Sequence, residues 1–262
     1  MQLNDLYSLV LKVAPISLSD EYCKTYDAYD NSGIIIDAGQ DVTKIMFSLD
    51  LSLRVVKMAS ANKANCIITH HPAIFRGIKN ILTQTDEKAK AIAECIKRGI
   101  SVISMHLNFD VVKGGIDDKL MLGLGGKTAL AVMESVQDGG YGKVYDVQGG
   151  VFSDYVATVF KTFNTEKSVY YGDSFKEVNR VASFCGAGAD EKAVKFAIDN
   201  KADVFVSSDF KHHIITSLLD NGINVICLTH YSAEYYGFSR MAQTLIKNLH
   251  VPGIIYIDKG LM

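Results

Sequence analysis

What the chain lacks narrows the field first. Its 262 residues contain no run of about 18 uninterrupted apolar residues, so no membrane-crossing helix is expected. The opening segment MQLNDLYSLVLKVAP has no positively charged leader and is interrupted by Asp5 and Lys12, which makes the cytoplasm the expected location. Neither sign of charge dominates. Lysine plus arginine number 27 against 29 acidic residues, a formal charge of -2, and no overall field draws in nucleic acid or anionic lipid. Partners of those two kinds are not expected. The five cysteines (Cys23, Cys66, Cys95, Cys185, Cys227) are odd in number, far apart and never spaced Cys-x-x-Cys, which argues for reduced thiols rather than a disulfide framework or a thiolate metal site. With only three prolines and no low-complexity tract, no linker announces itself; the glycine-rich stretches 114–126 and 139–150 are the best joints.

The length suits one large domain or two small ones, with ample chain for a core. Short runs rich in Ile and Val alternate with segments of helical period, the pattern of an α/β protein with a largely parallel sheet. KIMFSLD (44–50), NCIIT (65–69) and ISVIS (100–104) read as strands, with helices at LSLRVVKMASANK and EKAKAIAECIKRG between them. RVASFCG (180–186) and ADVFVSS (202–208) repeat the plan around the helix ADEKAVKFAIDNK. Sliding the chain by 138 positions sets Lys57 on Lys195, Ala59 on Ala197, Lys63 on Lys201, Ala64 on Ala202 and Thr69 on Ser207. An offset of 123 sets RGISVIS over NGINVIC, each with a glycine suited to a left-handed helix cap. The expected fold is therefore two similar α/β lobes with mixed sheets flanked by helices, 1–125 and 126–262, the segment from about 240 to 262 packing back on the first. The stretch 127–178 adds strands and one helix without recognisable chemistry.

Six of the seven histidines follow predicted strands: His70 and His71, His106 near Asp110, His212 and His213, and His230 near Glu234. Ligand sites of open α/β sheets lie beyond the carboxyl ends of their strands. A lone histidine there is ordinarily a hydrogen-bonded cap, but the recurrence points to metal. Imidazoles with carboxylates suit zinc, iron, manganese, cobalt or nickel, and four histidines (His70, His71, His106, His230) with Asp110 and Glu234 exceed the needs of one catalytic ion. A pair of divalent ions in a cleft between the lobes, bridged by Asp110 and Glu234, uses them better. Because neighbours in extended chain point oppositely and Pro72 favours extended geometry at His71, His70 and His71 are expected to serve different ions.

The motifs YDNSGI (29–34), ITHHPAIF (68–75), SMHLNFD (104–110), GGIDDKL (114–120), SSDFKHH (207–213) and LTHYSAE (228–234), in this order, resemble the Nif-three-like dinuclear metal-centre family, homologues of type 2 GTP cyclohydrolase I. The resemblance implies a two-lobed α/β protein assembled as a toroidal homohexamer, with two metal ions per subunit. By motif, the implied ligands are His70, His71, Asp110, His230 and Glu234. His106 is an additional ligand or lies just behind them, and Asp209, Lys211 and His213 support substrate or catalysis. Thr229 stands where the family commonly has glycine, which questions the close backbone approach there.

Two functions compete. One is a metal-dependent hydrolase acting on a nucleotide or related heterocycle; the other is a metal-stabilised hexameric scaffold or regulatory partner-binding protein without turnover. Phosphate loops are a weaker signal. LGLGGKT (122–128) has Met121 where a Walker loop needs its first glycine, and CGAGADE (185–191) has Glu191 where a dinucleotide loop needs its third. The latter turn still offers backbone N–H groups to a phosphate, although a tight turn explains it equally. Tyr235, Tyr236 and Phe238 are candidates for stacking a base, and more simply for packing.

Overall fold

The structure is a computed structural model and describes residues 1–262. Helices α1 (Leu3–Leu11) and α2 (Ile16–Tyr26) precede β1 (Gly33–Ile36), β2 (Ile45–Ser48), α3 (Leu53–Ala61), β3 (Cys66–Thr69), α4 (Glu87–Lys97), β4 (Ser101–Ser104) and the short α5 (Leu107–Val111). Next come α6 (Ile116–Gly123), β5 (Ala131–Val136), β6 (Gly139–Val151), α7 (Phe152–Phe163), β7 (Val169–Tyr171), β8 (Glu177–Ser183), α8 (Glu191–Asp199), β9 (Val204–Ser207), α9 (His212–Asp220) and β10 (Asn224–Cys227). The 19-residue α10 (His230–Asn248) and β11 (Gly253–Ile255) finish the chain. No helix is long and apolar enough to cross a membrane.

Two units divide these elements: Met1–Val112 with Phe238–Ile257, and Lys113–Gly237 with Asp258–Met262. The first break follows Val112 rather than residue 125, because α6 is tied to β6. Asp117 in its first turn binds Lys143 at 2.6 Å and accepts from Gly142 N at 3.0 Å.

The first unit holds a mixed sheet in the order β1-β4-β3-β2-β11, parallel except for β1. Its central strands, IMFS, CIIT and SVIS, are buried at every residue. That burial is why they read as continuous apolar runs rather than alternating ones. Val55 and Val56 of α3 and Ile92 and Cys95 of α4 pack with Ile67 and Val102 into one cluster. Each such Val or Ile contributes about 1.5–3 kcal/mol when fully buried, so packing rather than strand length holds these four-residue strands.

The second unit holds the mixed sheet β5-β6-β8-β9-β10-β7, parallel only across β8, β9 and β10. Phe184, Phe205, Val225, Ile214 and Leu218 form its core. The internal repeat is in register. Shifting by 138 carries α3 onto α8, Leu53 to Glu191 and Ala61 to Asp199, and β3 onto β9, Cys66 to Val204 and Thr69 to Ser207. Lys63 and Lys201 both take left-handed φ, 58° and 57°, after those helices. At the other offset β4 falls on β10, and the preceding glycines, Gly99 and Gly222, have φ 65° and 72°. Side-chain caps start the helices too: Ser52 accepts from Val55 N, and Asp190 from Ala193 N.

Candidate metal centre

In the first unit the sheet delivers three imidazoles and a carboxylate to the carboxyl ends of β3 and β4. His70 is fully buried, and its Nδ1 donates to the Met105 carbonyl at 2.9 Å. A neutral ring anchored in this way carries its lone pair on Nε2. That Nε2 lies 3.5 Å from Asp110 Oδ1, and Asp110 is itself buried. Two acceptors facing each other at this range need a cation between them, either a proton on the ring or a metal ion. His71 Nδ1 donates to Asp50 at 2.8 Å, and His106 Nδ1 to Asp30 at 2.9 Å. Ligand atoms of His70, His106 and Asp110 all lie within 4.8 Å of one another.

His70 and His71 do not diverge. Their ring centroids are 4.9 Å apart, because β3 has ended at Thr69 and both backbone N–H groups turn onto the Leu49 carbonyl, at 3.1 and 2.9 Å. The expectation of opposite facing assumed extended chain, and this turn replaces it.

Asp30 and Asp50 are site residues that the motif reading did not single out for a role; the signal was a carboxylate in YDNSGI and another closing KIMFSLD. Asp30 is nearly buried. Burial opposes its charge, but the His106 imidazole and the Ser19 and Ser32 hydroxyls, each 2.6 Å away, outweigh it and hold the carboxyl down to about 2.

In the second unit α10 supplies the remaining pair. His230 and Glu234, four residues apart, share one helix face, with Nε2 and Oε1 at 3.1 Å. Glu234 is 3% exposed, and a carboxylate so buried calls for a positive partner. His230 Nδ1 donates to Asp209 at 2.5 Å. Asp209 reaches it from a left-handed turn, φ 55°, after β9. It thus stands behind the His230 ring. Thr229, the departure from the expected pattern, caps α10: its Oγ1 accepts from Ser232 N at 3.0 Å, so the change serves the helix that carries His230 and Glu234.

Lys211 and His213 follow Asp209 in the chain. Both are exposed at the start of α9, where His213 Nε2 meets Glu191 at 3.1 Å. Glu191 is held below its ordinary value by its own backbone and by His213. His212 is exposed as well, and His250 stands apart from the clusters.

The turn CGAGADE serves Glu234 by making room. Gly186 has φ 59°, and a Cβ there would lie 2.4 Å from Glu234 Oε1. Its carbonyl accepts from the hydroxyls of Ser207 and Ser208. The motif GGIDDKL holds the same turn: Asp117, fully buried, accepts from Cys185 N at 3.1 Å while bound to Lys143, which also meets Asp118 at 3.0 Å. Tyr235, Tyr236 and Phe238 pack: Tyr235 stacks on Tyr231 at 5.3 Å, Tyr236 lies 4.7 Å from Phe163, and Phe238 lies 6.5 Å from Phe47.

These four histidines share one feature: Nδ1 is engaged by a carbonyl or carboxylate, which in the neutral ring places the lone pair on Nε2. Metal-binding histidines are oriented in this way, and with buried Asp110 and Glu234 the donors match a borderline divalent ion. These buried groups therefore fit a metal.

A curated relative from Clostridium perfringens, named GTP cyclohydrolase 1 type 2 homolog, is 30% identical over 90% of this chain and 87% of its own length. One of the same name from Campylobacter jejuni is 30% identical over 99% and 98%. The crystal structure of a Bacillus cereus protein related to NIF3 shares the fold, with a TM-score of 0.84 at 20% identity, covering 98% of this chain and 97% of that one. A family model described as Duf34/NIF3 (NGG1p interacting factor 3) matches residues 1–258, and so the chain belongs to that family.

Proposed function

We propose that this protein is a metal-dependent hydrolase acting on a nucleotide or related heterocycle, holding two divalent ions through His70, His71, Asp110, His230 and Glu234, with His106 as a further ligand or a residue just behind them. The observation that carries the reading is the common Nδ1 anchoring of four imidazoles, each with Nε2 turned away from its anchor. The relatives' name, GTP cyclohydrolase 1 type 2 homolog, supports the choice of substrate class.

A bound divalent ion supplies a water of lowered pKa and stabilises negative charge that develops on attack. The chain's own groups do the rest. Asp30, Asp50 and Asp209 fix ring orientation and keep the protons on Nδ1, while Asp110 and Glu234 balance positive charge in places that exclude water. We further propose a cytoplasmic, toroidal homohexamer; light scattering that gives other than six chains per particle removes that part.

Metal analysis of gently purified protein is expected to give two ions per chain. The loaded protein is expected to convert GTP or another nucleotide, and Glu234→Gln to abolish this while remaining folded. Protein that binds fewer than two ions, or turns over nothing across a broad nucleotide panel, overturns the reading. Full metal content without turnover would favour the scaffold.

A further inference from the structure

We propose that Tyr29, Phe75 and Arg76 form a recognition platform, beside the imidazoles of the first unit, for the planar base and the phosphates of a nucleoside triphosphate. The inference rests on the nucleotide reading above and adds the residues that select the substrate.

Two aromatic rings stand in solvent where core packing does not require them: Tyr29 is 49% exposed and Phe75 38%. They meet edge to face, centroids 5.1 Å apart at 82°. On its other side Phe75 approaches His106, at 6.4 Å and 87°. The pair is therefore continuous with the imidazole cluster. Arg76 lies over the Tyr29 ring, 5.5 Å from its centroid, and forms no ion pair. Its guanidinium charge is thus not spent on a carboxylate.

Hydrogen bonds tie down the segments beneath. Asn31 Nδ2 donates to the Ile74 carbonyl at 2.6 Å and joins the two segments that carry the rings. Ala73 N donates to Ser104 Oγ at 3.2 Å, and His106 N to Ser32 Oγ at 2.9 Å. A ring pair kept for stability would be buried, as Phe184 and Phe205 are. Half-exposed rings beside the imidazoles suit stacking on a heteroaromatic base, and an arginine that can swing from the Tyr29 ring suits phosphate oxygens through paired N–H donors.

The test is equilibrium binding to the metal-loaded full chain, read by anisotropy of a methylanthraniloyl-labelled GTP and by competition with GTP, guanosine and inorganic triphosphate. Stacking predicts that Tyr29→Leu and Phe75→Leu weaken GTP and guanosine about 5- to 100-fold and leave inorganic triphosphate within twofold. Arg76→Ala is expected to weaken GTP and triphosphate and spare guanosine. Circular dichroism and metal content, read on the same samples, should not change, since all three side chains are exposed and none is a proposed ligand. Wild-type protein that does not bind GTP, or ring variants that bind it as tightly as wild type, overturns the platform. Protein that binds GTP through these residues yet never hydrolyses it overturns the hydrolase and leaves the platform standing.

Discussion

Lys143 is a cation with almost no access to water, 3% exposed, held by Asp117, Asp118 and the Gly140 carbonyl. Burial alone would lower its pKa, but the two carboxylates more than reverse this and raise it above the ordinary lysine value. A raised lysine contributes its stability in full below about pH 10 and loses it as pH climbs through the raised value. Lys143→Met strands two acids and is expected to cost about 3–5 kcal/mol in urea unfolding near neutral pH. Lys113→Met, whose bridge to Asp138 is largely exposed, is expected to cost less than about 1 kcal/mol. Equal effects would show that the buried pair has no special weight. The thiols give a second residue-level test. Burial pushes Cys66 and Cys95 up to about 12, so alkylation at pH 8 followed by peptide mapping should leave both unmodified until denaturant is added. At this scale the histidines were legible because buried strands point to them. Their partners Asp30 and Asp50 were not, because each comes from a segment distant in sequence and only folding pairs them with a ring.

Among elements, two glycines separate conformational cost from site cost. Gly222 has φ 72° and open space around it, so Gly222→Ala is expected to lose about 1–2 kcal/mol of stability by denaturant titration and to keep its metal. Gly186→Ala adds a collision with Glu234 and is expected to reduce bound metal as well. If metal analysis finds both variants equally loaded, the turn does not shape the carboxylate's place. The central strands and the helices between them were legible because their residues are apolar throughout or at helical period. β1 and β11 were not, since three or four residues on a sheet edge carry too little pattern. The turn at His70 and His71 escaped for another reason: its acceptor, the Leu49 carbonyl, belongs to the segment after a neighbouring strand.

For the molecule as a whole, metal that binds only the folded chain adds stability by mass action, about 2.7 kcal/mol at a hundredfold excess over the dissociation constant. Chelation should therefore lower the melting temperature in scanning calorimetry, and restoring the ion should recover it; an unmoved transition would count against tight binding. The two-unit plan was legible through the repeat, while the boundary was not, because α6 sides with β6 through side chains that no local pattern links. The repeat has one more consequence. Residues 53–69 and 191–207 match in length and in element boundaries, so one can be written over the other without shifting an element. A chimera with one copied over the other needs no insertion or gap, and what it loses reports how far each copy depends on its own surroundings.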